Sequence, residues 1–392
     1  MNLTATTAAA PSRPTDSPPT NPSAGPVPFI LDGSKIAWHL DRVEAWERGE
    51  RIAPITIDMA LTRACNYACV YCYATLQEND RKVIDKPVID AFLEDCAEIG
   101  VKGISLVSDG ESSVSPVFAH TIVRGSELGL SMATGTNGFL LTPDVVDPIL
   151  PHLTYLRINI SAGERARYAE IMGVKESFYD RVLENIRHMV KIKREQSLSV
   201  TIGLQMVLMP QFGDQVLPLA RLGRELGVDY CIFKHCSDNE DGDLHVDYEG
   251  YPGLFAILRE AEAMSTDTYQ VSVKWSKITT GEKRSYQRCY GPPFIIQLSG
   301  SGLVAPCGML FNERYKKFHI GNICETRFKD IWQSDHYWEV MNYLASPSFN
   351  AQTMCGTLCL QHKTNEALDS YRRGEIELKT PAGDAPQHIN FI

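Results

Sequence analysis

Six short apolar segments recur between residues 53 and 236, and all but the last are plainly followed by a helical pattern. They read "PITIDMAL" (54–61), "KGISLVS" (102–108), "LSMATGT" (130–136), "YLRINIS" (155–161), "LSVTIGLQMVLM" (198–209) and "DYCIFKHC" (229–236). Helical spacing of apolar residues fills the gaps at 87–100, 115–129, 143–150, 177–195 and 215–227. The first of these opens on Pro87 and closes on Gly100, the usual asymmetry of helix ends. Repeated βα units with apolar strands predict a parallel sheet buried on its faces. Six units predict a partial (β/α)6 TIM-like barrel of the α/β class rather than a closed eight-fold one. In such folds chemistry sits at the C-terminal ends of the strands.

The loop that leaves the first strand is "RACNYACVYCYA", with Cys65, Cys69 and Cys72. No basic and apolar leader of a secretory signal opens the chain, so its eleven cysteines belong to a reducing, cytoplasmic compartment. Clustered cysteines there are metal or redox ligands more often than disulfides. Thiolates prefer zinc, copper(I) or iron–sulfur centres. Structural zinc wants four closed ligands, whereas this loop offers three with no histidine nearby in sequence. One position is left open, as on a [4Fe–4S] cube whose fourth iron takes an outside ligand.

Downstream of residue 266 the pattern changes. "YQVSVKW" (269–275) and "FIIQLSGSGLVAPCG" (294–308) read as short antiparallel strands, the second with a Gly-rich hairpin turn. "RFKDIWQSDHYWEVMNYLA" (327–345) reads as one amphipathic helix. Cys289, Cys307, Cys324, Cys355 and Cys359 are interleaved with these elements. The expected organisation is a disordered arm (1–28, with seven prolines), a partial barrel (29–265), a smaller cysteine-rich α+β domain (266–365) and a tail (366–392). Net charge is −10, without the basic stripe of a nucleic-acid binder. No uninterrupted apolar run approaches the ~18–20 residues of a membrane span.

Cys65-x3-Cys69-x2-Cys72 after the first strand of a partial β/α barrel resembles the radical S-adenosylmethionine (SAM) superfamily, over roughly residues 53–360. The resemblance implies that the three cysteines hold a [4Fe–4S] cluster. SAM chelates its fourth iron, and one-electron reduction yields a 5′-deoxyadenosyl radical that abstracts hydrogen from substrate. An external reductant of flavodoxin or ferredoxin type is implied with it. Tyr71 stands where the family places an aromatic beside the adenine. "VSDGESS" stands where the family has a Gly-Gly-Glu-Pro-like stretch, so Ser108, Asp109, Gly110 and Glu111 are candidates for the SAM amine, although Asp109 and Ser112 depart from that pattern. Asn137, Ser161 and Arg167 are further candidates for the SAM ribose or carboxylate. Cys236 is a candidate hydrogen donor, with a buried core thiol as its alternative. Lys234, His235 and Asp238 share its loop within reach of a substrate.

The back cysteines resemble the SPASM and twitch extensions, which carry auxiliary iron–sulfur clusters. The tight Cys-x2-Cys run of a two-cluster SPASM domain is absent from the sequence. Cys289, Cys307, Cys355 and Cys359 match one closed auxiliary [4Fe–4S] cluster, or a structural zinc site. Cys324, in "GNICETRF", stands at a position that is structural in the family.

"CYATLQENDRKVI", "GISLVSDGES", "TGTNGFLL" and "PQHINFI" are similar to Nif11-type maturases of ribosomally made precursor peptides. That group implies a peptide substrate. The implied reactions are tyramine excision, leaving an α-keto-β-amino residue, and next epimerisation. Residues 29–53 are too few for a winged-helix leader-recognition domain, which implies a separate leader-peptide-binding partner protein. A dehydrogenase or deoxygenase of an aminosugar or cyclitol is the alternative enzyme, and an iron–sulfur or zinc scaffold the non-enzyme.

Overall fold

A computed structural model describes residues 34–79, 82–280, 283–355, 359–386 and 388–392. The proline-rich arm expected at 1–28 lies outside the described residues. The six expected strands form as β1 (Thr56–Met59), β2 (Gly103–Leu106), β3 (Ser131–Thr136), β4 (Leu153–Asn159), β5 (Thr201–Leu208) and β6 (Tyr230–His235). They pair in sequence order and in parallel. Local chemistry explains the helices between them. In Lys86–Ile99 the Asp85 side chain accepts a hydrogen bond from Val88 N, and Gly100 ends the helix at φ 90°. Buried apolar residues then recur down one face of each longer helix, as in Glu176–Glu195 with Tyr179, Val182, Leu183, Ile186, Met189 and Val190.

Beyond residue 266 the structure corrects the expected strand directions. β7 (Gln270–Val273) runs parallel to β6, and β8 (Ile295–Leu298) runs parallel to β1. Only β9 (Leu303–Ala305) and β10 (Gly321–Asn322) are antiparallel to their neighbours. Eight parallel strands therefore follow one another in the order β8-β1-β2-β3-β4-β5-β6-β7. The sheet does not close, because β7 lies at its edge rather than beside β8. The expected hairpin at 294–308 does form, β8 and β9 pairing antiparallel about a turn with Gly302 at φ 83°, but β7 and β8 also extend the parallel sheet at its two sides, which buries both faces of these apolar strands. The expected long helix at 327–345 is also two helices, Phe328–Gln333 and Asp335–Ala345. Ser334 breaks it in extended conformation and caps the second helix through Tyr337 N.

Residues 388–392 cross the N-terminal ends of the strands. His388 Nε2 lies 2.6 Å from Thr201 Oγ1, Thr56 Oγ1 donates to Asn390 O at 2.7 Å, and Asn390 Nδ2 donates to Ser131 Oγ at 2.9 Å. Phe391 packs edge-on against Tyr155 at 5.0 Å and against Gly103, where a Cβ would sit 3.3 Å from its ring. The segment thus touches β1 to β5 and stoppers that end of the barrel. Among the described residues no helix is long and apolar enough to cross a membrane.

Candidate active site

Side chains alternate across a strand, so every second residue of β1–β8 points into the barrel. Here those residues are largely polar: Asp58 on β1, Arg157 on β4, Gln205 on β5, Lys234 on β6 and Gln297 on β8 all line one cavity. A closed eight-stranded barrel fills this space with layers of branched aliphatic side chains. This one holds a cavity of about 670 Å³, reaching from the cysteine loop to the stopper. Glycines help to keep it open. Gly135 and Gly203 flank Arg157 in register. A Cβ on Gly135 would meet Val107 at 2.5 Å, and one on Gly203 would meet the Tyr230 ring at 2.1 Å.

Cys65, Cys69 and Cys72 all line the cavity at the C-terminal end of β1. Cys65 is exposed and the other two are half-buried. Burial pushes the Cys69 thiol up to about 12, and the neighbouring Cys72 and Cys65 add to the effect. A cationic centre reverses that penalty by converting all three to thiolates. Among the described residues no three His, Cys, Asp or Glu side chains converge tightly enough for a single metal ion. The thiol-only donor set suits an iron–sulfur cluster, which assigns each cysteine its own iron.

The "SDGES" stretch at the end of β2 turns out to lash this loop in place. Glu111 N donates to Ala64 O at 3.0 Å, and Leu61 N donates to Ser112 Oγ at 3.2 Å. Asp109 accepts from Ser299 Oγ at 2.6 Å and Gly300 N at 2.8 Å, and faces Arg63 Nε at 3.5 Å. The Glu111 carboxylate accepts from Ser113 N, Ser113 Oγ, Thr136 Oγ1 and Asn137 N at 2.7–3.1 Å. Both carboxylates are therefore engaged by the protein's own donors. Ser108 Oγ is buried at the cavity wall without a partner, which leaves a polar atom for a ligand. Gly110 has a steric reason: a Cβ there would lie 1.9 Å from Thr62 O, while one on Gly300 would lie 2.1 Å from Thr62 C. The chain entering the cysteine loop passes between these two glycines. Gly110→Ala is expected to destabilise the fold by about 1–3 kcal/mol, as overpacking does, and to lower iron content on reconstitution. Urea unfolding and an iron assay measure the two effects.

Asn137 and Tyr71 also line the cavity. The Asn137 amide donates to Asn66 Oδ1, inside the cysteine loop, at 2.7 Å. The Tyr71 hydroxyl donates to Met172 Sδ at 3.0 Å. Ser161 is fully buried, accepts from Val207 N at 3.2 Å and does not line the cavity. Nor does Arg167, whose guanidinium grips Asp214 at 2.8 and 3.0 Å and Glu170 at 2.6 Å. Cys236 lies behind the cysteine loop, its Sγ 3.7 Å from Tyr71 O, with burial raising its thiol to about 12. Of its loop neighbours, Lys234 and His235 line the cavity, whereas Asp238 accepts from Asn239 N and Leu244 N and braces the loop.

The back cysteines divide. Cys289, Cys307, Cys355 and Cys359 lie within electrostatic reach of one another: burial raises the Cys289 and Cys307 thiols, and the neighbouring Cys359 and Cys355 add to it. Asn365 Nδ2 sits 3.6 Å from the sulfurs of both Cys289 and Cys359, and Arg284 reaches Cys355 Sγ at 3.9 Å. Donors aimed at sulfur are the outer shell that supports cluster thiolates. Cys324 stands apart, its Sγ 3.7 Å from Val83 O and Ser301 O. Leu360 and Gln361, next to Cys359, line the cavity, so this set sits just behind its wall.

Arg157, Lys274, Lys277 and Asp58 also face the cavity and were not singled out from the sequence. The signal for two of them was present: a charged residue inside an apolar strand, as in "YLRINIS" and "ITIDMAL", marks an inward position at period two.

A model of the radical SAM superfamily matches residues 59–222, and a model of the SPASM iron–sulfur cluster-binding domain matches residues 289–359. The chain is 26% identical over 322 residues to an AdoMet-dependent heme synthase of Methanosarcina barkeri, covering 75% of this chain and 86% of that one. It is 25% identical over 330 residues to the mycofactocin maturase MftC of Mycolicibacterium smegmatis, covering 80% and 78%. In fold it is similar to Streptococcus suis SuiB, crystallised with the precursor peptide SuiA, with a TM-score of 0.59 and 16% identity over 76% of this chain and 69% of SuiB. A radical SAM domain binds a [4Fe–4S] cluster and SAM, and a SPASM domain binds auxiliary iron–sulfur clusters. With one thiol set at the C-terminal end of an open parallel barrel and a second behind its wall, the chain carries a radical SAM domain followed by a SPASM domain.

Proposed function

We propose that this radical SAM enzyme modifies the backbone of a ribosomally made precursor peptide. The observation that carries the reading is the single cavity shared by the cysteine loop and the polar interior of the strands. A volume of about 670 Å³ suits one or two residues of a peptide beside a cofactor. The sequence likeness to a maturase and the fold likeness to a protein crystallised with its precursor peptide support a peptide over other substrates.

When bound, the cluster and SAM, with an electron from a flavodoxin- or ferredoxin-type donor, supply a carbon radical able to take hydrogen from an unactivated position. The chain's own residues do the positioning. Cys65, Cys69 and Cys72 hold the cluster, and Gly110 with Gly300 fixes the path of their loop. Ser108 and the backbone around it meet the SAM amine. Tyr71 flanks the adenine, and Asn137 ties the third strand to the loop. Lys277 and Gln361 line the cavity on the side of the second thiol set. Excision of tyramine is the preferred outcome over epimerisation, because Cys236 lies behind the loop and outside the cavity lining.

Co-expression with a candidate precursor, followed by mass spectrometry, tests this. A mass loss equal to tyramine supports excision, and deuterium gain in D2O supports epimerisation instead. No change in any precursor, with active turnover of an aminosugar, sinks the peptide reading.

A further inference from the structure

The interior of the barrel is cationic in a chain that is acidic overall. Seven Lys or Arg residues line the cavity against four Asp or Glu, although the whole chain carries −10. Two of the four acids, Asp109 and Glu111, are already engaged by internal donors. Arg157 on β4, Lys234 on β6 and Lys274 just after β7 come from adjacent parts of the sheet, since Lys274 N bonds Phe233 O at 2.9 Å. Among the described residues neither Lys234 nor Lys274 has an ion-pair partner, and Arg157 Nε is buried without a hydrogen bond. His235 lines the same cavity at 2% exposure, with neither ring nitrogen bonded.

Gathering like charges in a half-enclosed space opposes folding. Burial, then Arg157 and Lys277, lowers Lys234 to about 7, and burial with Lys277 and Lys234 drives Lys274 well below the usual lysine range. Asp58, raised to about 6 by burial, interacts with Arg157, Lys274 and Lys234 and accepts from Gln297 at 3.4 Å, so one carboxylate faces three cationic side chains. Three cationic groups gathered at such a cost around one carboxylate, with the Tyr155 ring 5.7 Å from the Arg157 guanidinium and no ion pair to them among the described residues, are characteristic of a ligand site.

We propose that Arg157, Lys234 and Lys274 form an anion seat that holds a carboxylate of the substrate. The seat stands independently of the peptide reading; that the carboxylate belongs to a peptide, at its C-terminus or on an acidic side chain, rests on that reading. The seat fixes which end or side chain enters the barrel, and so which backbone position is presented to the cysteine loop.

Thermal unfolding of the cluster-loaded full chain tests it with malonate and the neutral malonamide. Malonate is expected to raise Tm by about 2–4 °C at saturation and malonamide to leave it unchanged. Lys234→Gln/Lys274→Gln should unfold higher without anion, since it removes desolvated like charges, and should lose the malonate shift. Lys274→Gln alone serves if the double variant does not fold. Equal shifts with malonamide, or a malonate shift kept in the variant, overturn the proposal. So does a tenfold or greater fall in peptide-free SAM cleavage in the variant, which would assign these cations to the SAM carboxylate. Three tetrapeptides then distinguish the sources by competing with malonate: acetyl-Ala-Tyr-Gln-Ala amide, its free acid, and acetyl-Ala-Tyr-Glu-Ala amide. Competition by the free acid alone supports a C-terminal carboxylate, and competition by the glutamate peptide alone supports an acidic side chain. A malonate shift that no peptide relieves supports the seat and counts against the peptide reading.

Discussion

Alanine at Cys65, Cys69 or Cys72 is expected to abolish reductive SAM cleavage, with 5′-deoxyadenosine falling below detection. Each of the three thiols stands on the one loop that reaches the cavity from β1. No other cysteine lines that cavity, among the described residues, so no neighbour can take over as a ligand. The variants should stay folded, because the loop is held by contacts that do not involve sulfur: Glu111 N to Ala64 O, Leu61 N to Ser112 Oγ, and Arg63 Nη2 to Gln77 O at 2.6 Å. Circular dichroism with an iron assay separates the two effects. Native helix content with the iron of one cluster missing is the expected result. Unchanged 5′-deoxyadenosine release from any of the three would refute the assignment.

Cys289→Ala and Cys359→Ala are expected to behave differently. Each removes one of four mutually facing thiols and leaves the cavity lining intact. Iron should fall by about half, from roughly eight to four per chain, given one cube at each thiol set. SAM cleavage without substrate should persist at reduced rate, while modification of a substrate is lost. Cys324→Ala, which alters a thiol near Val83 and Ser301 rather than one in the set, should leave iron content unchanged. A full complement of iron in Cys289→Ala, or its loss in Cys324→Ala, would redraw the ligand set.

The parallel sheet was legible because its strands are apolar, evenly spaced and separated by capped helices such as Asp85 to Gly100. Direction beyond residue 266 was not, because among the described residues only the short helix Trp275–Thr280 lies between β7 and β8, and β8 takes as its parallel partner β1, near the other end of the chain. Ile296 pairs with Ile57, a contact that no local pattern encodes. The cysteine spacing identified the loop. What "SDGES" does was only half legible. Its glycine and carboxylates suggested ligand contacts, yet Gly110 makes room for Thr62, and Asp109 and Glu111 bond to Ser299 and Thr136. A short turn does not reveal which face of the chain it will meet. Arg157 was passed over for a similar reason: one charge in an apolar run gains meaning only when Lys234 and Lys274 are brought beside it.

The stopper made by residues 388–392 limits the topology of any long substrate. With Phe391 and Asn390 seated across β1, β2 and β3, a polymer cannot be threaded through the barrel from end to end. On the proposed reading, a peptide dips in as a free end or a bent loop rather than passing through. The number of residues that can reach the cysteine loop is then set by the depth of a blind hole. Sequence far from the modified position is left outside it, free to vary or to be held by another protein.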